Sequence, residues 1–502
     1  MRSVKKLFYT TIALTLTSFL MKTIAVWFNV YLTNLVGSVG IGIFQLIMTV
    51  YGLSKTLACS GMNLAATRLC IDDYPNRRNT MGKLFCCAFL LGLFSFLLIY
   101  LSSDPISVYW IMTTQASLSL KILSISLPFI ALSASLNGYM TAARKMSRYS
   151  LIQLLEQLSR IGITICIVEK AGEVNIKEAM ALICLGITIS EVISFLLSLS
   201  CFLLDVYKNQ LKNQKTGGFF KKMLRIALPD GFGACIRSGL NTVEHLLIPR
   251  GIRSSGASVE RAFSDYGIVQ GMALPILLYP SSILGVISGL LVPEIAECKL
   301  KKNEIEVNYI INRVLHVAMI FSMITMSVML VFADEISLTI YHNTEASYFI
   351  RLIAPLIPIM YLDMTTDGML KGLDLQLSIM KINVLDSLLC VVLVAILVPK
   401  VAVDGYIFTI YFAEMVNFIL SFRKLAKESK LRFNLMKNVI KPFLGSLIAC
   451  LFSKQWCQVI TKPTPNLVVS ISVGLVLYYM ILRLCGSITK EDSKWFGALI
   501  KP

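Results

Sequence analysis

The stretch "PFIALSASLNGYMTAARKMSRYSLIQLLEQLSR", residues 128–160, recurs in outline as "PIMYLDMTTDGMLKGLDLQLSIMKINVLDSLLC", residues 358–390. In this register, offset by 230, Pro128 meets Pro358, Asn137 meets Asp367, Gly138 meets Gly368, Gln153 meets Asn383 and Glu156 meets Asp386. Two shorter matches keep the same order: "GIFQLIMTVYGL" from Gly42 over "GIVQGMALPILL" from Gly267, and Lys5-Lys6 over Lys221-Lys222. Offsets that drift in one direction are what loop insertions leave behind in a duplicated unit. Both long copies are rich in apolar residues, so the duplicated object is read as a helical membrane bundle.

Composition supports that medium. The 502-residue chain is 56% hydrophobic and only 15% charged, with mean hydropathy +0.72, whereas a soluble domain carries roughly 25% charged residues. Runs of about 18 to 25 apolar residues recur along the whole length, each long enough to cross hydrocarbon as a helix. Fourteen spans are expected: 7–30, 41–66, 84–102, 119–142, 150–168, 179–204, 226–249, 265–293, 311–333, 350–370, 382–399, 403–422, 438–453 and 467–485. The seventh, rich in Gly and charge, and the short thirteenth are the weakest of these.

The fold class is therefore an all-α polytopic membrane protein of two six-helix bundles with two added C-terminal helices. A six-helix unit repeats in parallel, and transporters built this way hold substrate between their halves. The expected divisions are residues 1–206, a cytoplasmic basic linker at 207–225 containing "KNQLKNQKTGGFFKK", a second bundle at 226–430, and the appended helices and tail at 431–502.

A net charge of +18 in a soluble chain would point to nucleic acid. Here its distribution assigns it otherwise. With Arg2, Lys5 and Lys6 cytoplasmic, about 33 of the 47 Lys and Arg fall on the cytoplasmic side and about 10 outside, as the positive-inside rule requires. The excess then faces membrane lipids, no nucleic-acid partner is expected, and both termini are cytoplasmic. The thirteen cysteines have no paired metal-ligand spacing and read as small apolar fillers.

Charges inside spans cost about 2.5 to 3.5 kcal/mol at the bilayer centre, so each needs a partner or a wet cavity. Span 5 carries Glu156 and Arg160, four apart with the acid first, the spacing of a helical ion pair. This pair either locks the span to its neighbours or serves transport. Span 6 carries Glu191. Lys22 and Asn29 in span 1 and Lys55 in span 2 have no acidic partner on their own spans, and Arg237, Asn241 and Glu244 share one face of span 7. If spans 1, 2, 7 and 8 line a cleft, Lys22, Lys55 and Arg237 make it cationic, suited to a phosphate or diphosphate headgroup. The alternative is that these side chains snorkel to the interface. Gln270 joins the substrate-binding candidates, and Asp230 and Glu244 are candidate ion-coupling sites.

No motif of a hydrolase, zinc protease or nucleotide-binding loop is present, so no catalytic residue, metal or cofactor is expected. A membrane-embedded transferase using Asp363, Asp367 and Glu156 is the enzyme alternative, since carboxylates near a membrane face can hold a metal.

The segments "GIGIFQLIMTVYGLSKTLACSGMNLAATRL" from Gly40, "LNGYMTAARKMSRYSLIQLLEQLSRI" from Leu136, "DYGIVQGMALPILLYPSSILGVISGLLVPEIAE" from Asp265 and "FADEISLTIYHN" at 332–343 resemble the stage V sporulation protein B family. These are flippases of the multidrug, oligosaccharidyl-lipid and polysaccharide exporter superfamily. The resemblance implies alternating access by two bundles and a polyprenyl-diphosphate-linked sugar as cargo, with lipid II for spore cortex as the expected substrate. It implies basic residues on spans 1, 2 and 8, at which Lys22, Lys55 and Arg261 stand as substrate-binding candidates, and a groove for the lipid tail at spans 13 and 14; a monomer is expected. Two departures stand out: Asn29 where a later arginine is expected, and Gly61-Met62-Asn63 where Gly-hydrophobic-Pro is usual, which puts the bend there in question. The rival readings are a multidrug or cation antiporter of the same superfamily and a flippase for another lipid-linked oligosaccharide.

Overall fold

In the computed structural model the described backbone covers residues 2–59, 61–72, 77–172, 175–209, 219–430, 435–458 and 463–488. It contains no strand among those residues. The side chains of Lys5 and Lys6, linker residues 210–218 and the tail from 489 lie outside the described residues.

The helices run in order α1 (Arg2–Cys59), α2 (Met62–Asp72), α3 (Arg77–Pro105), α4 (Ala116–Ser124), α5 (Leu127–Ala142), α6 (Met146–Ala171), α7 (Ile176–Asn209), α8 (Phe219–Ser254) and α9 (Val259–Gly267). There follow α10 (Leu274–Leu278), α11 (Ser281–Leu300), α12 (Glu304–Val331), α13 (Ala333–Tyr341), α14 (Glu345–Ile353), α15 (Ile357–Gly372), α16 (Gln376–Glu428), α17 (Lys441–Gln458) and α18 (Pro463–Leu484). Single turns of π-helix continue α3, α9 and precede α17. Among the described residues eight helices are long and apolar enough to cross a membrane, or ten if two bent pairs each count as one span. Two of the eight contain breaks, at Gly37 in α1 and at Val401-Ala402 in α16. The expected count of fourteen is not established by this measure. The polar α8, with Arg225, Asp230, Arg237, Glu244 and Arg250 along it, and the short α17 do not meet it.

The chain packs as two compact units. The first comprises Trp27–Gly267 with Val391–Val403, and the second Met1–Val26, Ile268–Cys390 and Asp404–Pro502. Helix α8 packs within the first unit. Gly61 shows why. Its φ of +65° ends one helix and starts the next, and a Cβ there would lie 2.2 Å from the Ala227 carbonyl oxygen of α8. Thr56 Oγ1 donates to Ser238 Oγ at 3.3 Å and Thr242 Oγ1 to the Thr49 carbonyl at 3.4 Å, extending the same seam. The glycine supplies the break at this point, with Asn63 where the resemblance leads one to expect a proline.

The internal repeat is written in backbone geometry as well as in letters. Helix α5 and helix α15 each carry Pro at their start. Each is followed by one left-handed residue, Arg144 at φ +56° and Asp374 at φ +58°, before α6 or α16 begins. The N–H of Lys145 bonds the Met140 carbonyl at 2.9 Å, as that of Leu375 bonds Leu370 at 3.0 Å. Upstream, Lys121 pairs with Asp104 and Arg351 with Asp334, again in the same register. The other matched pair, Gly42 and Gly267, meets directly: a Cβ on Gly267 would lie 3.0 Å from Gly42 Cα, and one on Gly42 would lie 2.1 Å from the Phe263 carbonyl oxygen. Small residues at such a crossing let helix backbones touch where lipid offers no hydrophobic drive.

Candidate functional site

Within the first unit, four charges from three helices form one network. Lys55 Nζ lies 3.0 Å from Glu191 Oε1, and Arg160 Nη2 lies 2.9 Å from Glu156 Oε1 and 3.4 Å from Glu191 Oε1. Ser194 Oγ donates to Glu156 Oε2 at 2.7 Å, so the second carboxylate oxygen is also occupied. Two cations and two anions sum to zero, which is what a charge set within an apolar bundle needs. Glu156 and Arg160 thus pair as their spacing suggests, and α7 adds Glu191 to them.

Lys55 corrects the sequence reading. It has no acid on its own helix, but its partner Glu191 comes from 136 residues away and is 5% exposed. Its ammonium is consequently not an unmatched charge. Arg261 is likewise matched, its Nε lying 2.8 Å from Asp265 Oδ1 one turn along α9. By contrast, Arg237 on α8 is exposed and forms no ion pair or hydrogen bond among the described residues. Asn241, one turn on, and Asp230 are exposed, while Asn29 and Glu244 are half-buried. His245 is tied to Tyr266, Nδ1 to the hydroxyl at 3.2 Å.

Within the second unit, Lys22 is exposed and forms no ion pair among the described residues. It stands beside the broken α10–α11 segment: a Cβ on Gly285 would lie 3.9 Å from its Nζ, and the adjacent Thr23 hydroxyl meets the Tyr279 hydroxyl at 3.0 Å. Gln270 Oε1 accepts from the Tyr406 hydroxyl at 3.0 Å.

The same unit holds a set of acids that sequence reading did not assemble. Asp363 and Asp367 of α15, and Asp386 and Glu414 from the two halves of α16, are close enough to act on one another electrically. Asn417 Nδ2 donates to Asp363 Oδ2 and Ser421 Oγ to Asp367 Oδ1, each at 3.4 Å. Asp363 Oδ1, Asp386 Oδ1 and Asn417 Oδ1 accept no hydrogen bond. The repeat explains the contrast with the first unit: Asp386 occupies the register of Glu156, but the register of Arg160 is filled by Cys390. The guanidinium that neutralises one copy is missing from the other. Among the described residues no group of three or more acidic, His or Cys side chains is arranged to hold a metal ion.

A profile described as "Polysaccharide biosynthesis protein" matches residues 7–299, more than half of the chain. The chain belongs to the polysaccharide biosynthesis protein family. Among relatives of known name, stage V sporulation protein B of Bacillus subtilis (strain 168) is 24% identical over 486 residues, 92% of each chain. Sporulation protein YkvU of the same organism is 18% identical over 68% of this chain and 77% of its own. Among solved structures, a lipid II flippase MurJ in an inward closed conformation superposes with a TM-score of 0.74 at 16% identity, over 98% of this chain and 100% of that one. An inward-facing multidrug resistance MATE family transporter of the MOP superfamily gives a TM-score of 0.60 at 14% identity, over 83% and 98%. This member of the polysaccharide biosynthesis protein family is thus a multi-pass helical membrane protein with the transporter fold those structures share.

Proposed function

We propose that the chain is a flippase that moves a polyprenyl-diphosphate-linked sugar across the cytoplasmic membrane by alternating access, with lipid II as the leading cargo. The observation that carries this reading is the pair of exposed cations, Lys22 on α1 and Arg237 on α8, neither of which forms an ion pair among the described residues. A diphosphate headgroup supplies the anion they lack, Arg237 as a planar fork and Lys22 as a point charge. Lys55 takes part only by exchanging Glu191 for the headgroup. Its side chain is 43% exposed, so the exchange is open to it. Asn29, Asn241, Arg261 and Gln270 supply polar contacts to the sugar in this scheme.

The acids at Asp363, Asp367, Asp386 and Glu414 favour one element of the rival antiporter reading, exchange of protons or a small cation. We assign them to energy coupling of the same transport cycle, beside the exposed Asp230 and half-buried Glu244. The test is reconstitution of the purified protein in vesicles with a fluorescent lipid-linked sugar, scoring its exposure in the opposite leaflet. Cation-driven drug efflux without sugar exposure would replace the flippase by an antiporter.

A further inference from the structure

A cavity of about 550 Å³ opens at the start of α12, walled by Asn312, Arg313 and His316 on one side and by Lys430, Lys437 and Asn438 on the other. It is a framed site. Asn308 Oδ1 accepts from the Lys430 backbone N–H at 2.7 Å, Asn312 Nδ2 donates to the Lys430 carbonyl at 3.1 Å, and the Arg313 guanidinium lies 5.8 Å from the Tyr309 ring centre. Against the single acid at its rim, Glu304, the three cations leave a positive excess.

A second cavity, of about 480 Å³, runs between α11, α12 and α18, lined by apolar side chains that include Ile287, Val317, Ile320 and Ile324. His316 lines both cavities. Its ring joins them, with Nδ1 2.9 Å from Asn438 Oδ1 and Nε2 3.0 Å from the Ser487 carbonyl oxygen. From His316 to Ile324 the helix rises about 12 Å, close to the roughly 15 Å of hydrocarbon in one leaflet.

We propose that the two cavities form one binding site for an anionic glycerophospholipid of the surrounding membrane, its phosphate in the basic chamber and one acyl chain along the apolar one. Charge selects the head. A basic pocket between membrane helices at headgroup level is the chemistry that retains such lipids. Length selects the tail: a chamber running about 12 Å along α12 suits one acyl chain and is far shorter than a polyprenyl chain. The site lies wholly in the second unit and uses neither Lys22 nor Arg237; because it borders spans 13 and 14, where the resemblance places the cargo tail, a polyprenyl competitor is included to tell the two occupants apart.

The test is binding of fluorescent phosphatidylglycerol to the full-length protein in zwitterionic nanodiscs, with phosphatidylcholine and a polyprenyl monophosphate as competitors. Phosphatidylglycerol should bind saturably and phosphatidylcholine should not displace it. Lys430→Gln and Lys437→Gln should each weaken binding about fivefold, whereas Lys437→Arg should keep it, which separates loss of charge from loss of fold. Val317→Trp, which fills the apolar chamber, should weaken binding of the lipid but not of its deacylated headgroup. Equal binding of the two phospholipids, or unchanged affinity in both Gln variants, overturns the proposal. Preferential displacement by the polyprenyl phosphate also overturns it and would make the site part of the cargo route.

Discussion

Replacing Glu191 with Gln removes one charge from a network of four and leaves Lys55 and Arg160 to share Glu156. At 3.0 Å, two unit charges attract by about 5 kcal/mol at an effective dielectric constant of 20. Little of this survives as net stability, because the 43% exposed Lys55 side chain is partly solvated in either state. Measured polar pairs between membrane helices average about 0.6 kcal/mol and reach about 1.7. The Lys55–Glu191 coupling is therefore expected at about 1 to 1.5 kcal/mol, toward the upper end because the carboxylate is buried. Glu191→Gln alone should cost more, about 2 to 3 kcal/mol, since two cations lose their anionic partner at once. The assay is a double-mutant cycle of Lys55→Met and Glu191→Gln, read from reversible unfolding in mixed micelles. A coupling below about 0.3 kcal/mol would be indistinguishable from independent sites and would refute the network as described.

Three further outcomes follow from the same geometry. Gly61→Ala should destabilise by about 2 kcal/mol or more, since it combines a left-handed backbone with a clash against Ala227; the melting temperature of the purified variant reads this. Gly42→Ala, aimed at the Phe263 carbonyl, should lower the melting temperature comparably, whereas Gly52→Ala, which meets nothing within 4 Å, should not. Asp386→Asn should uncouple transport from an imposed pH gradient while leaving downhill exchange of the labelled lipid; a variant that still responds fully to the gradient would remove the acid cluster from the coupling role.

Much of the architecture was legible because it depends on local composition and on periodicity. Apolar runs marked the chain as a helical membrane protein, and the recurrence of 128–160 at 358–390 has a counterpart in the backbone, where Arg144 and Asp374 are both left-handed. The Glu156–Arg160 pair was legible because it lies within one helix turn. Lys55 was misread for the opposite reason: its partner is remote in sequence, and an unmatched charge on one span says nothing about what a neighbouring span presents. The acids of the second unit were hidden likewise, spread from Asp363 to Glu414. One cue to them was available, the replacement of Arg160 by Cys390 in the repeat register. The polarity of α8 had made the seventh span uncertain, and the packing of Ala227 onto Gly61 could not be read from either segment alone.

The most direct measurement of the central idea is the rate at which a labelled polyprenyl-diphosphate sugar crosses vesicles containing the protein, compared among Lys22→Ala, Arg237→Ala and Lys22→Arg at equal protein content. Loss of crossing in both Ala variants, with recovery in Lys22→Arg, is the predicted result. Wild-type rates in both Ala variants would contradict the assignment of these two cations to the diphosphate.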